Sequence, residues 1–290
     1  MGRLVLIGGG QNGYHKERYE TEAIDREIVA LCGRKNPHFL FVGLANGNPD
    51  GYCGAMRRIF GKQYGCRIEY LSRQLLEQGN WEKVDKLIGW ADIIYAAGGN
   101  SLKQLKLFRR YGLDERFRKA FLETDKIFCG ISAGAICWCR YGGSDAFHYA
   151  NAPQRLVKLR GLDFAPLLFC PHFITETYRR DALKQLMRRV RDVPALACDY
   201  GAIVVDGDKL KFIALDDDRT AARCCRYGKA EKGKAEKTEV EKTEAACAEK
   251  EAAGDPAAVQ KAKNRYVEEN LLPGKVYSLS KLGMAAPVSC

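Results

Sequence analysis

No C-x-x-C pair occurs anywhere in this 290-residue chain, although it carries 12 cysteines. Cys137 and Cys139 are separated by one residue and Cys224 and Cys225 are adjacent, so neither zinc-ligand spacing nor a disulfide framework is visible. Cys129, Cys170 and Cys198 sit inside apolar runs, where cysteine acts as a small hydrophobe, and a reducing, cytoplasmic setting is expected. No apolar run approaches the roughly 20 residues of a membrane span. Met1-Gly2-Arg3 leads directly into a short strand, so no secretory leader is expected either. Histidine is scarce, with only His15, His38, His148 and His172. Basic residues exceed acidic ones, 47 to 36, for a net charge of +11, yet they are scattered. Their one cluster, Arg179, Arg180, Lys184, Arg188, Arg189 and Arg191, has helical spacing and reads as a solvated helix face, not a nucleic-acid site. An anionic small substrate suits the charge equally well.

The chain does carry strands followed by helices. Arg3 to Ile7 is an apolar strand ending in the glycine turn Gly8–Gly10, which alone is weak evidence for a phosphate site and is not read as the dinucleotide fingerprint. Ile24, Ile28 and Leu31 recur at helical spacing in a segment that Gly33 ends. Phe39 to Leu44 is apolar throughout, as a strand covered on both faces should be. The segment 50–65 reads as helical toward its end, and Cys66–Leu71 as a strand. A short helix, 81–89, leads to the strand Asp92–Ala97, which runs into Gly98-Gly99-Asn100, and 101–111 is again helical. Strands alternating with helices predict an α/β fold, a mostly parallel sheet with helices on both faces. In such a sheet, ligands bind at the carboxyl ends of the strands.

At that edge stands Gly130-Ile131-Ser132-Ala133-Gly134, between the apolar strand Ile127–Cys129 and a helix beginning near Ala135. Strand, G-x-S-x-G, helix is the layout of a nucleophile elbow. It holds a hydroxyl clear of the backbone beside the first N–H groups of a helix; a serine that merely caps the helix is the competing reading. Tyr141–Phe147 reads as a loop. Leu167–Cys170 is strand-like and delivers Pro171-His172-Phe173 to the same edge, which singles out His172 among the four histidines. A serine and a histidine so placed are what nucleophilic acyl transfer needs.

Gly98-Gly99-Asn100, Gly130-Ile131-Ser132-Ala133-Gly134-Ala135 and Cys170-Pro171-His172-Phe173, in this order, resemble the dipeptidase E family of serine peptidases. Those enzymes are related to the cyanophycinases and have the class I glutamine-amidotransferase-like, flavodoxin-like fold. The resemblance covers about residues 2–206 and includes Glu20–Ile28. It implies cleavage of dipeptides with an N-terminal aspartate, without metal or other cofactor. It makes Ser132 the nucleophile, His172 the general base, and the Gly99 and Ala133 N–H groups the oxyanion hole. For the third triad member it offers Asp145 first and Asp199 as the alternative, the latter in a stretch where the cyanophycinases carry a glutamate. Substrate contacts fall to Asn100, to Arg179 or Arg180 for a carboxylate, and to Glu176 for an α-amino group. Two readings compete: a cyanophycinase-like hydrolase of β-aspartyl peptides, and a non-catalytic relative that binds an acidic metabolite. The expected partner is a small peptide, with no nucleic acid and no membrane, and a homodimer is left open.

Beyond this region, Ile203–Ala214 reads as a hairpin turning at Asp206-Gly207, and Lys275–Leu279 as a last strand beside it. Between them, residues 228–265 form a Lys/Glu/Ala tract too poor in large apolar residues to bury a core. The expected organisation is thus one α/β domain, residues 1–227 and 266–290, with a charged insertion.

Overall fold

A computed structural model describes residues 1–14, 18–147, 155–215, 217–228 and 265–282. His15, His148 and nearly all of the Lys/Glu/Ala tract lie outside the described residues. In the first half, β1 (Arg3–Ile7) and α1 (Glu22–Cys32) are followed by β2 (His38–Val42) and α2 (Pro49–Met56). This helix starts earlier than its periodicity suggests, because Asn48 caps it and Pro49 is pre-set for its first turn. It continues as π-helical turns over Arg57–Gln63. Next come β3 (Arg67–Tyr70), α3 (Arg73–Glu77), α4 (Trp81–Trp90), β4 (Ile93–Ala96), α5 (Ser101–Arg110) and α6 (Leu113–Glu123). β5 (Ile127–Ile131) and α7 (Ala133–Trp138) form the elbow.

The second half contains β6 (Cys139–Ser144), β7 (Val157–Arg160), β8 (Ala165–Cys170), α8 (Arg179–Met187) and β9 (Ala195–Asp199). β10 (Gly201–Asp206) and β11 (Lys209–Ala214) pair antiparallel across a turn at Gly207. β12 (Ala221–Gly228) pairs antiparallel with β13 (Arg265–Asn270), and β14 (Val276–Ser278) with β11. β6 corrects the loop expected at 141–147 over its first four residues. Its glycines resemble a turn, but they are there for close packing: a Cβ on Gly142 would lie 2.2 Å from Ile136 Cγ2 of α7.

The strands form two sheets. The first runs β14-β11-β10-β1-β5-β4-β2-β3 and the second β13-β12-β9-β8-β6-β7. In the first, β1, β5, β4, β2 and β3 are parallel, and the hairpin side is antiparallel. Period-two alternation divides its residues between two cores. Leu4, Leu6, Leu40, Ile94 and Phe128 enter a core shared with α3–α7 and the inner face of the second sheet, whereas Val5, Ile7, Phe39, Tyr95 and Cys129 enter one covered by α1 and α2. A third core lies between the second sheet and α8. Trp138 anchors α7 in the first core, with its indole N–H donating to Cys129 O at 3.0 Å.

One buried group in α1 is uncompensated. Asp25 accepts from the Thr21 hydroxyl at 3.0 Å through Oδ2, while Oδ1 has no hydrogen-bond partner among the described residues. Burial, partly offset by Thr21, raises its pKa from 3.8 to about 7. A carboxyl raised on folding favours the fold below its unfolded pKa, and that contribution is lost as pH rises through about 7. The difference is worth about 4 kcal/mol at roughly 1.4 kcal/mol per pKa unit. Asp25→Asn should therefore melt higher than wild type at pH 8, by a margin that shrinks steadily on acidification and is gone only below about pH 4, read from Tm against pH.

Candidate active site

The elbow's glycines are required by contact. A Cβ on Gly130 would lie 2.6 Å from Gly134 C, and one on Gly134 would lie 2.1 Å from Ala96 O, so α7 rests directly on β4 and β5. Ser132 between them has φ 53°, a left-handed conformation costing on the order of 1–3 kcal/mol for a residue with a Cβ. Its N–H donates to Ile7 O at 2.9 Å, and its carbonyl accepts from Ile136 N–H.

His172 arrives from the other sheet. The sequence placed both residues at one edge of a single sheet; β5 and β8 in fact belong to different sheets, and the end of β1 joins them. His172 N–H donates to Gly8 O at 2.9 Å, one residue beyond the carbonyl that holds Ser132. Like Ser132, His172 has a positive φ, 55°. The side chains meet with Ser132 Oγ 2.8 Å from His172 Nε2. Burial first, and then the Arg179 cation, lower the imidazole pKa below the ordinary histidine range.

The two candidate acids lie in different places. Asp199, fully buried at the end of β9, accepts from Ile174 N–H, Thr175 N–H and the Thr175 hydroxyl at 2.8–3.0 Å through Oδ2. Its Oδ1 accepts from Tyr200 N–H at 3.0 Å. A Cβ on Gly9 would lie 2.3 Å from Asp199 Oδ1 and 3.3 Å from His172 Nδ1, so the carboxylate and the outer ring nitrogen flank the same backbone. Asp145, ranked first by the sequence, instead accepts from Arg179 Nη2 at 2.8 Å. No hydrogen bond joins His172 Nδ1 to either acid among the described residues.

Arg179, with its side chain 2% exposed, also donates to Glu176 at 2.7 Å and to Gly143 O at 3.4 Å. Its donors are thus committed inside the protein, and Glu176 and Asp145 form its carboxylate neighbours. Burial alone would raise the Glu176 pKa, but the Arg179 and Tyr178 bonds outweigh it and lower it. Arg180 points to Glu268 on β13, 3.3 Å away. Asn100 is exposed and caps α5, its Oδ1 accepting from Lys103 N–H at 2.9 Å, which leaves its Nδ2 to other partners.

Gly99 follows β4 with φ 143° and its N–H meets no acceptor among the described residues. The Ala133 N–H is in the first turn of α7, where no intrahelical acceptor exists. Of the other histidines, His38 stacks on Trp90 and bonds its carbonyl. Cys129 beside the elbow is buried, and burial pushes its thiol well above the ordinary cysteine range. No group of three His, Cys, Asp or Glu side chains among the described residues could hold a metal ion.

The sequence reading missed the part played by Gly8 and Gly9. Gly8, Gly10 and Gly13 do fall at dinucleotide-fingerprint spacing, contrary to the sequence reading, but among the described residues the next helix begins only at Glu22, too far on to receive a phosphate at the glycine turn. The glycines instead allow close packing, since a Cβ on Gly8 would lie 2.3 Å from Cys198 O. Thr175 carried no signal at all.

A tight turn between strand and helix serves several hydrolase classes, and a hydroxyl bonded to an imidazole narrows them to the serine-type hydrolases. Residues 4–213 match Peptidase family S51, and the chain belongs to that family of serine-type peptidases. It is 31% identical over 202 residues to an uncharacterized peptidase, YgaJ, of Bacillus subtilis (strain 168), covering 70% of this chain and 82% of that one. The fold is similar to the crystal structure of a peptidase from an acI-B1 Actinobacterium, with TM-score 0.61, 14% identity and coverage of 96% and 97% of the two chains. It is also similar to a putative peptidase E protein from Listeria monocytogenes EGD-e, with TM-score 0.52, 14% identity and coverage of 74% and 100%. Among the described residues no helix is long and apolar enough to cross a membrane.

Proposed function

We propose that the protein hydrolyses short peptides with an N-terminal aspartyl residue through an acyl-enzyme on Ser132. The observation carrying this reading is the 2.8 Å approach of Ser132 Oγ to His172 Nε2, beside the unclaimed Gly99 N–H and the first N–H of α7. Ser132 Oγ attacks the scissile carbonyl carbon while its proton passes to His172 Nε2. The Gly99 and Ala133 N–H groups hold the resulting oxyanion. Collapse breaks the C–N bond, and the amine leaves with the proton from Nε2. Water then gives a proton to His172, attacks the ester, and frees Ser132.

The substrate's free α-ammonium is assigned to Glu176 and Asp145, which are 37% and 43% exposed. With Arg179 between them they carry a net single negative charge. Asn100 Nδ2 is the donor assigned to the aspartyl side chain. Arg179, buried with its donors bonded to Glu176, Gly143 and Asp145, is not offered for a substrate carboxylate, whereas Arg180 is exposed and, among the described residues, pairs with Glu268 alone. The position of Asp199 at the outer edge of His172 also favours a second reading, hydrolysis of β-aspartyl bonds, which differs from the first in the linkage that the site accepts.

Amine release from α-Asp-Xaa, β-Asp-Xaa and Ala-Xaa dipeptides, with chelator present, tests both. Cleavage of α-aspartyl substrates alone supports the first reading, and cleavage of β-aspartyl substrates alone moves the assignment to the second. Turnover of neither aspartyl series by folded protein sinks both.

A depressed His172 pKa sets the pH dependence. The base must be neutral to accept the proton, so activity rises with pH through this pKa. The acid limb of kcat/KM should accordingly lie below about 6.5. Arg179→Met removes a cation and leaves Glu176 and Asp145, whose charges raise the pKa. The limb should move to higher pH in that variant; a limb that stays in place would discount Arg179 as a cause.

A further inference from the structure

We infer that Asn46, on the turn after β2, is a positioning residue for the oxyanion site, acting through the Gly98–Gly99 peptide. The inference rests on the acyl-enzyme reading given above. The Gly98 carbonyl and the Gly99 N–H are opposite ends of one planar unit, so an anchor on the carbonyl fixes the direction of the N–H. Asn46 supplies such an anchor, its Nδ2 donating to Gly98 O at 3.4 Å. The orientation of the Asn46 amide is not arbitrary. Its Oδ1 accepts from Asn48 N–H at 2.9 Å, which only the oxygen can do, and this leaves Nδ2 as the atom facing Gly98.

Further contacts fix the backbone around this peptide. The Asn46 N–H donates to Gly43 O at 3.3 Å and closes the turn. A Cβ on Gly99 would lie 2.8 Å from Ala45 O, so the turn backbone lies directly against the donor residue. The buried Tyr52 hydroxyl, itself held by Asn12 Nδ2, lies against the Gly98 backbone. On its other side Gly98 faces the nucleophile, a Cβ there falling 3.9 Å from Ser132 Cβ. A donor on the Gly98 carbonyl also polarises the peptide and strengthens the Gly99 N–H as a donor. That gain grows as negative charge develops on the oxyanion. Asn46 thus belongs to the transition state, and ground-state binding does not need it.

The probe is an alkyl fluorophosphonate, which phosphonylates an activated serine whatever its peptide specificity. The serine oxygen forms a P–O bond, fluoride leaves, and the hydroxyl proton passes to the base. Labelling of wild type, Asn46→Ala, Asn46→Asp and Ser132→Ala is followed by intact mass. Asn46→Ala should lower kinact about 10-fold, less than the roughly 10²–10³ for deleting a direct oxyanion donor, with KI unchanged. Asn46→Asp should lower kinact further, because it sets a carboxylate oxygen against the Gly98 carbonyl. Tm and the acid limb of the labelling pH profile should match wild type in both, since His172 is untouched. Wild-type kinact in the two Asn46 variants overturns the inference alone, as does a loss that appears in KI or follows Tm. A wild type that takes no label, or labelling that survives Ser132→Ala, overturns the acyl-enzyme reading and this inference with it.

Discussion

Ser132→Ala should lower kcat by roughly 10⁴-fold or more while leaving the protein folded. The hydroxyl is the only group deleted, and among the described residues its one bond is to His172 at 2.8 Å. The backbone around it is held independently, by the Ile7 carbonyl, by Ile136 and by the contacts of Gly130 and Gly134. Alanine keeps the Cβ and therefore the strain at φ 53°. Ser132→Gly should lose activity to the same extent but melt above Ser132→Ala, because glycine adopts this conformation without steric cost. Activity measured beside Tm therefore separates chemistry from strain. An alanine variant retaining a tenth of the wild-type rate would remove Ser132 from the mechanism.

The second large effect is expected at Asp199. Asp199→Asn keeps the shape of the side chain but withdraws the negative charge beside the ring that becomes cationic during attack. Loss of such an orienting carboxylate costs roughly 10⁴-fold in kcat. It also puts an amide NH₂ where Oδ1 and Oδ2 now receive four hydrogen bonds, so Tm should fall as well. Asp199→Glu keeps the charge, and it should recover part of the rate even if it is no more stable. Asp145→Asn alters an exposed partner of Arg179, and kcat should fall less than 10-fold, with KM rising if the carboxylate holds the substrate's ammonium. The reverse order, Asp145→Asn inactive and Asp199→Asn active, would restore Asp145 as the orienting acid.

The gap between these two aspartates measures what could be read from the chain. Short-range features were legible because local stereochemistry dictates them. The fully apolar strands, the cap at Gly33 and the elbow around Ser132 each depend on neighbours only a few residues away. The glycines of β6 were misread because glycine in a turn and glycine under a crossing helix look alike until Ile136 is seen against Gly142. Asp145 stood ahead of Asp199 only through the family resemblance, since in one dimension nothing shows which aspartate reaches a histidine.

By itself the sequence determined the α/β class and the family and singled out Ser132 and His172 as candidates, because those readings rest on local periodicity and on motifs whose spacing is chemical. Only the tertiary structure decided that the pair spans two sheets, that Gly8 and Gly9 join them, and that Arg179 is committed to Glu176 and Asp145. Most of those facts depend on residues far apart in the chain coming within bonding distance, such as Arg179 with Asp145 and Gly8 with His172. No local pattern encodes such a meeting; the packing of two sheets around a shared core produces it.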